Sequence, residues 1–147
     1  SLTTCSQDIY DAFLDDAIAK GFFHAHTYSG NPLGCAAAIA GIDLLVSDEM
    51  QAHINRIEVG HHAFAKAIQN NSKVKNIRVA GVILAFELET TMERYGAKRT
   101  KLYDFFMQRG VCLRPLGNTI YIQPPYVTTA AQMDTIYEAI EAAIKEF

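Results

Sequence analysis

The chain has 147 residues, of which half are hydrophobic and a fifth are charged, as in a globular protein with a substantial core. Its net charge of −3 provides no basic field that could hold nucleic acid or an anionic membrane surface. The most apolar run, residues 33–46, is too short to span a bilayer and is interrupted by Gly34, Gly41 and Asp43. We therefore expect neither a nucleic-acid partner nor a membrane partner.

The first 47 residues are predicted to form two helices separated by a loop. Residues 4–7 fit a capping box for the first helix, which ends at Lys20-Gly21. A polar and aromatic loop follows over residues 22–30, and Asn31-Pro32 then fits the start of a second helix that runs to about residue 47. The second helix is apolar on nearly all sides and rich in Gly and Ala, so we expect it to be buried in a large core or at a subunit interface.

The remaining residues alternate between helical and strand patterns. Helices are predicted from Asp48 or Glu49 to about Ile68, over about residues 100–109, and from Thr128 or Thr129 onward. Strands are predicted over residues 76–81 and 82–89, and two more within 111–123. This order predicts an α+β fold, in which helices cover a short, mainly antiparallel sheet on one face.

The last two predicted strands are joined by a tight turn that carries Arg114. No carboxylate lies close to Arg114 in sequence. The planar guanidinium matches the geometry of a carboxylate or phosphate, so Arg114 is a candidate anion-binding residue. A surface position, or a pairing with a remote Asp or Glu, would explain the same pattern.

A second candidate anion site lies between His24 and Asn31. Hydroxyl groups, free backbone N–H groups and a helix N-terminus come together there, which suits a phosphate, although the residues taken alone favour an ordinary polar loop with a helix cap. His24 and His26 lack a third ligand, so no metal site is predicted. The pair His61-His62 is interpreted as a solvated helix face.

Three cysteines, Cys5, Cys35 and Cys112, are odd in number and widely spaced. This pattern favours free thiols in a reducing cytoplasm over a disulfide framework. No nucleophile with a basic partner is evident in the sequence. Because the chain starts at Ser1 without a methionine and enters a predicted helix almost at once, we expect it to be part of a longer protein.

Three segments resemble class III, fold type I, pyridoxal-phosphate aminotransferases. The first is Thr27-Tyr-Ser-Gly-Asn-Pro-Leu-Gly-Cys-Ala-Ala-Ala38, the second is Arg78-Val-Ala-Gly81 with the strand that follows it, and the third is Leu113-Arg-Pro-Leu-Gly-Asn-Thr-Ile-Tyr-Ile-Gln-Pro-Pro-Tyr126. The third segment is similar to the subgroup that transfers an amino group from S-adenosylmethionine to 8-amino-7-oxononanoate, giving 7,8-diaminononanoate in biotin synthesis. The resemblance extends over essentially the whole chain.

The resemblance implies a role for five residues and a division into two parts. His26 and Thr27 would hold the phosphate of pyridoxal 5'-phosphate bound by the neighbouring subunit of a homodimer, whereas Ala25, Arg114 and Tyr121 would contact the substrate, with Arg114 pairing with its carboxylate. Residues 1–47 would belong to the large-domain side and the dimer interface. Residues 48–147 would form the C-terminal small domain.

Two departures from the family pattern qualify these roles. Ala25-His26 stands where the family has Gly-Pro, which leaves the role of His26 open. None of the lysines matches the family's Schiff-base lysine, which would lie upstream of Ser1, as would the aspartate that pairs with the pyridine nitrogen. We therefore expect no catalytic residue in this chain, weak cofactor affinity, and no activity from the chain alone.

Two other interpretations remain open at this point. The complete protein could be another class III aminotransferase, acting on an ω-amino acid or a diamine. Alternatively, the chain could be a non-catalytic α+β domain that oligomerises through its small-residue helix.

Overall fold

A computed structural model describes residues 2–147. The chain divides into two compact units, Ser1–Ser47 and Asp48–Phe147, and each is described by itself. The assignment of these units to a large-domain side and a small domain remains a prediction.

The unit Ser1–Ser47 contains two α-helices, α1 (Gln7–Asp11) and α2 (Pro32–Leu45), and a short 3₁₀ helix over Ile18–Lys20. The prediction of one continuous first helix to Lys20 was wrong. Ser6, not Thr4, caps α1, and the chain leaves the helix where the Asp15 carboxylate accepts a hydrogen bond from the Ala17 N–H at 2.8 Å. That local bond competes with helical hydrogen bonding.

The predicted start of α2 is confirmed. Asn31 is the N-cap, its side-chain oxygen accepts a hydrogen bond from the Gly34 N–H at 2.8 Å, and Pro32 is the first helical residue. No residue of α2 is buried within its unit, although Leu33, Ile39 and other apolar side chains line the helix. Its predicted burial in a core or at an interface therefore remains a prediction.

The unit Asp48–Phe147 is an α+β fold, as predicted. It contains α3 (Asp48–Ile68), β1 (Val74–Ala80), β2 (Ile83–Leu88), α4 (Ala97–Met107), β3 (Thr119–Ile122) and α5 (Ala130–Glu146). The strands form one antiparallel sheet in the order β1-β2-β3, so β1 and β3 are its edges. A bulge between Lys75 and Arg78 interrupts the pairing of β1 with β2.

The core lies between one face of the sheet and the three helices. Every second residue of β2 and β3 points into it, and apolar side chains of α3, α4 and α5 fill the remaining space. The core residues with at most 1% exposure include Ile57, Leu84, Phe86, Leu88, Leu102, Phe106, Ile120, Ile122 and Ile140. The opposite face of the hairpin carries ion pairs, Lys75 with Glu89 at 2.7 Å and Arg78 with Glu87 at 3.5 Å.

The segment 111–123 contains one strand, not the two predicted. Residues 111–117 alternate between buried and exposed, but Leu116 alone among them pairs with β3, at Thr119. The Leu113 N–H donates to the Val111 carbonyl oxygen at 3.1 Å, which is a three-residue turn, and Pro115 has no backbone N–H to donate to a strand ladder. The chain therefore joins the sheet only after the turn at Gly117-Asn118.

Candidate anion-binding sites

The segment before α2 is organised by a ladder of rings. Successive rings on alternate residues contact each other, Phe22 with His24 at 5.8 Å, His24 with His26 at 5.4 Å, and His26 with Tyr28 at 5.3 Å between centroids. The last pair is stacked, with an angle of 15° between the ring planes. Because side chains alternate along an extended backbone, Ala25 lies on the side opposite the ladder.

Thr27 stands at the turn that leads into α2. The Ser29 N–H donates to the His26 carbonyl oxygen at 2.9 Å, and Gly30 takes a positive φ of 72° before the cap residue Asn31. Among residues 2–147, the Thr27 hydroxyl makes no hydrogen bond. It is exposed beside the N-terminus of a 14-residue helix.

The chemistry of this turn fits a phosphate group. Hydroxyl and backbone N–H donors are present, and residues 22–35 contain no carboxylate. The His26 ring stacks on Tyr28, and its backbone N–H donates to no acceptor among residues 2–147, so that N–H is available to an anion. Assignment of His26 and Thr27 to the cofactor phosphate, and of Ala25 to the substrate, remains a prediction.

Arg114 is exposed and lines a cleft of about 240 Å³ in the unit Asp48–Phe147. The cleft is formed by the loop before α4, the first part of α4 and the segment before β3. Its lining residues are Arg94, Tyr95, Arg99, Arg114, Pro115 and Leu116. Three arginines thus line one small cleft, and no acidic residue is among its lining residues.

Arg99 is fixed on the segment that carries Arg114. Its Nε–H donates to the Pro115 carbonyl oxygen at 3.1 Å, and its guanidinium lies 5.4 Å from the centroid of the Tyr103 ring. The one bond to Pro115 leaves the terminal nitrogens of Arg99 available as donors. Among the described residues, none of the three lining arginines forms a salt bridge.

Arg94 reaches the cleft because its loop packs closely on the turn at Gly117. Gly117 has a positive φ of 62°, and a Cβ atom on it would lie 3.3 Å from the Met92 carbonyl oxygen. The neighbouring Glu93 is not among the lining residues, and its carboxylate lies 3.6 Å from the position that a Cβ on Gly96 would occupy. Sequence reasoning missed Arg94 and Arg99, and the basic run at residues 94–101 was the available signal.

Tyr121 lies on β3, opposite Ala85 of β2, and its side chain is half-buried. Its neighbours Ile120 and Ile122 point into the core, so Tyr121 lies on the other face of the sheet. It does not line the Arg114 cleft. Its predicted role as a substrate-pocket residue remains a prediction.

The interpretation of His61 as part of a solvated helix face was wrong. His61 is 0% exposed, its Nε2 lies 3.0 Å from the Val82 carbonyl oxygen, and its Nδ1 lies 2.9 Å from the Tyr137 hydroxyl. Because a carbonyl can only accept, Nε2–H donates to Val82 and Nδ1 accepts the Tyr137 proton. Burial lowers the pKa of His61, and burial raises the pKa of Tyr137 to about 12.

Other site types find no support among residues 2–147. No group of three or more His, Cys, Asp or Glu side chains is arranged to hold a metal ion there. The three cysteines are exposed and unbridged. No helix in this part of the chain is long and apolar enough to cross a bilayer.

Comparison with known proteins identifies the family. The model of the family described as aminotransferase class-III matches residues 1–144. The chain belongs to the class III aminotransferases. It is 35% identical to the adenosylmethionine-8-amino-7-oxononanoate aminotransferase of Synechococcus elongatus over 99% of this chain and 34% of that protein. Identity to the enzyme of the same name from Geobacter sulfurreducens is 37%, over 97% of this chain and 33% of that protein.

A solved class III structure has the same fold. The crystal structure of the adenosylmethionine-8-amino-7-oxononanoate aminotransferase from Methanocaldococcus jannaschii superimposes with a TM-score of 0.79 and 27% identity. The match covers 96% of this chain and 34% of that one. The chain therefore spans about a third of the length of the class III relatives that it matches.

Proposed function

We propose that the chain is the C-terminal part of a pyridoxal-phosphate transaminase that moves an amino group from S-adenosylmethionine to 8-amino-7-oxononanoate. Arg114 supports this most directly, because it presents a guanidinium without an acidic partner among the described residues in a chain similar to enzymes named for that substrate. The keto acid carries a carboxylate at the end of an aliphatic chain, which a planar guanidinium can bind through two parallel hydrogen bonds.

Binding and orientation are the tasks proposed for the residues of this chain. Thr27 would donate its hydroxyl, and His26 its backbone N–H, to the cofactor phosphate of the neighbouring subunit in a homodimer, while Ala25 would face the substrate. Arg114 would hold the carboxylate end so that the keto group is presented at a fixed distance, and Tyr121 would line the same pocket.

Pyridoxal phosphate, when bound, supplies the carbonyl that takes up and releases the amino group and the ring that withdraws electrons. No lysine of the chain matches the position that forms the covalent link to it. We propose that this lysine and the carboxylate facing the pyridine nitrogen come from the rest of the protein. The cytoplasm is the proposed compartment, and the 147 residues alone are expected to show no transaminase activity.

The Arg114→Ala variant of the complete protein tests the carboxylate assignment. We expect the KM for 8-amino-7-oxononanoate to rise about 10-fold to 100-fold, because a charge-assisted pair is lost. The half-reaction with S-adenosylmethionine should change less, since that substrate is not proposed to use Arg114 in the same way. Single-turnover kinetics of the two half-reactions measure both effects.

An equal loss in both half-reactions would contradict the assignment of Arg114 to the keto-acid carboxylate. A matched control is Lys101→Gln, which also removes one positive charge from an exposed position of α4 but does not line the cleft. Amino-acceptor screening of the complete protein with ω-amino aldehydes and keto acids separates the proposed reaction from that of another class III aminotransferase.

A further inference from the structure

Three arginines line the cleft at Arg114, and the proposed function uses only one of them. Like charges brought together in a small cleft repel one another, and a lining carboxylate would normally offset that repulsion. The lining residues Arg94, Arg99 and Arg114 have no such partner among residues 2–147. An anion from outside the chain would provide the missing counter-charge.

The remaining lining residues indicate what kind of anion fits. Leu116 and Tyr95 present apolar surface beside the arginines, since they are 43% and 86% exposed. A carboxylate attached to an aliphatic chain can use both kinds of surface, whereas inorganic phosphate can use the charges alone. The cleft thus has the composition of a site for the charged end of an aliphatic acid.

Arg99 differs from the other two arginines because its own position is fixed. Its Nε–H bond of 3.1 Å ends on the carbonyl oxygen of Pro115, the residue next to Arg114. Removal of that bond would free the backbone on which Arg114 is carried. Arg94 has no hydrogen bond in the described part of the chain, and its guanidinium lies 5.5 Å from the centroid of the Tyr95 ring.

We propose that Arg94, Arg99 and Arg114 form one binding site for the carboxylate of an aliphatic acid, in which Arg99 is a positioning residue and Arg94 a second cation. This inference rests on the proposed function for the identity of the substrate, but the cleft itself can be tested without catalysis. Arg99 acts through Pro115 and orients Arg114. Arg94 attracts the carboxylate electrostatically, and salt weakens this attraction.

Direct binding is measured on the 147-residue chain, labelled with ¹⁵N, by following the arginine Nε–H resonances by NMR. Octanoate should shift the resonances of Arg94 and Arg114 with saturation within about 10 mM, the range expected for charged pairs at an exposed site. Octanamide, which has the same chain and no charge, should leave them unchanged, and inorganic phosphate should bind more weakly than octanoate. Equal effects of octanoate and octanamide, or tighter binding of phosphate, would overturn the proposal.

Variants separate the roles of the two added arginines in the complete protein. Arg99→Gln should raise the KM for the keto acid about 10-fold with kcat changed less than about twofold, and Arg94→Gln should raise it about threefold. Arg99→Lys keeps the charge but lacks the guanidinium Nε–H, so it should resemble Arg99→Gln. Full recovery in Arg99→Lys would overturn the positioning role, and a KM unchanged in both Gln variants would overturn the shared site.

The outcomes also distinguish this inference from the proposed function. If octanoate binds at the cleft but the complete protein lacks the proposed transaminase activity, the proposed function is contradicted and the binding site is supported. If the protein has that activity but its KM is insensitive to both arginines, the proposed function is supported and the shared binding site is contradicted. Lys101→Gln serves as the control in both measurements, and an unchanged melting temperature verifies that each variant is folded.

Discussion

The proton on His61 is fixed by two neighbours that come from distant parts of the chain. Val82, 21 residues away, accepts from Nε2, and Tyr137, 76 residues away, donates to Nδ1. The neutral ring satisfies both partners, whereas a second proton on Nδ1 would displace the Tyr137 hydrogen bond. The buried ring therefore links α3 to α5 and to the turn between β1 and β2 in its neutral form.

This arrangement predicts an acid-sensitive fold. Since burial lowers the pKa of His61 below its ordinary value of 6.5, the unfolded chain binds this proton at higher pH than the folded chain does. The stability contributed by neutral His61 is fully present above pH 6.5 and is lost as the pH falls below that value toward the folded-state pKa. Urea unfolding at a series of pH values should show this loss.

Substitutions of two adjacent histidines test whether His61 causes this pH dependence of stability. His61→Gln should be less stable at neutral pH but should lose less stability on acidification. His62→Gln, at an exposed position, should keep the acid dependence in slightly reduced form, because the charge of His62 contributes to lowering the pKa of His61. Identical acid dependence in the wild type and in His61→Gln would show that another group controls it.

Helices and strands were predictable where the deciding contacts are local. Asn31-Pro32 and Thr129 with Gln132 lie within one turn of the helices they start, so the sequence alone indicates α2 and α5. The first helix was overpredicted because the Asp15 turn competes with its periodic pattern. The arginine cleft could not be predicted from the sequence, because tertiary packing at the Gly117 turn brings Arg94 and Arg99 near Arg114.

The cap of α5 allows a quantitative test at the scale of one element. The Thr129 hydroxyl accepts a hydrogen bond from the Gln132 N–H, and the Gln132 side chain accepts from the Thr129 N–H at 2.8 Å. Thr129→Ala should therefore reduce the free energy of unfolding by about 1 kcal/mol. Chemical denaturation with far-UV circular dichroism measures this change.

Thr135 provides a control of the same chemistry on the same helix. It is exposed in the interior of α5, and its hydroxyl donates to the Ala131 carbonyl oxygen at 3.0 Å. Thr135→Ala should leave stability unchanged or raise it by about 0.5 kcal/mol, since Ala is the better helix former. Equal destabilisation by both substitutions would exclude capping as the cause.

At the scale of the whole molecule, the two units differ in how they are stabilised. The unit Asp48–Phe147 has a continuous apolar core built from the sheet and three helices. In the unit Ser1–Ser47, none of the described residues is buried, and Leu33, Ile39 and Leu44 of α2 are 84%, 61% and 63% exposed. Isolated helices of this length are marginal in water, so α2 has little to stabilise it within its own unit.

Hydrogen exchange on the 147-residue chain tests this difference. We expect amides of α2 to exchange at least about 100-fold faster than amides of β2, because opening α2 exposes no buried core. Mass spectrometry of peptic peptides resolves the two elements. Comparable protection of α2 and β2 would show that α2 is covered in solution, and its dependence on protein concentration would show whether a second copy covers it.

The shape of the edge strand β1 affects the tendency of the protein to aggregate at high concentration. A free strand edge can recruit strands of other molecules and so begin cross-β growth. Here Asn76 takes a positive φ of 53° within the bulge, and the charged side chains of Lys75 and Arg78 flank it. An incoming strand could form regular hydrogen bonds with β1 over only a few residues, because the bulge shifts the register. Its binding would also have to desolvate those charged side chains. The bulge in β1 should therefore disfavour fibril formation at this edge of the sheet.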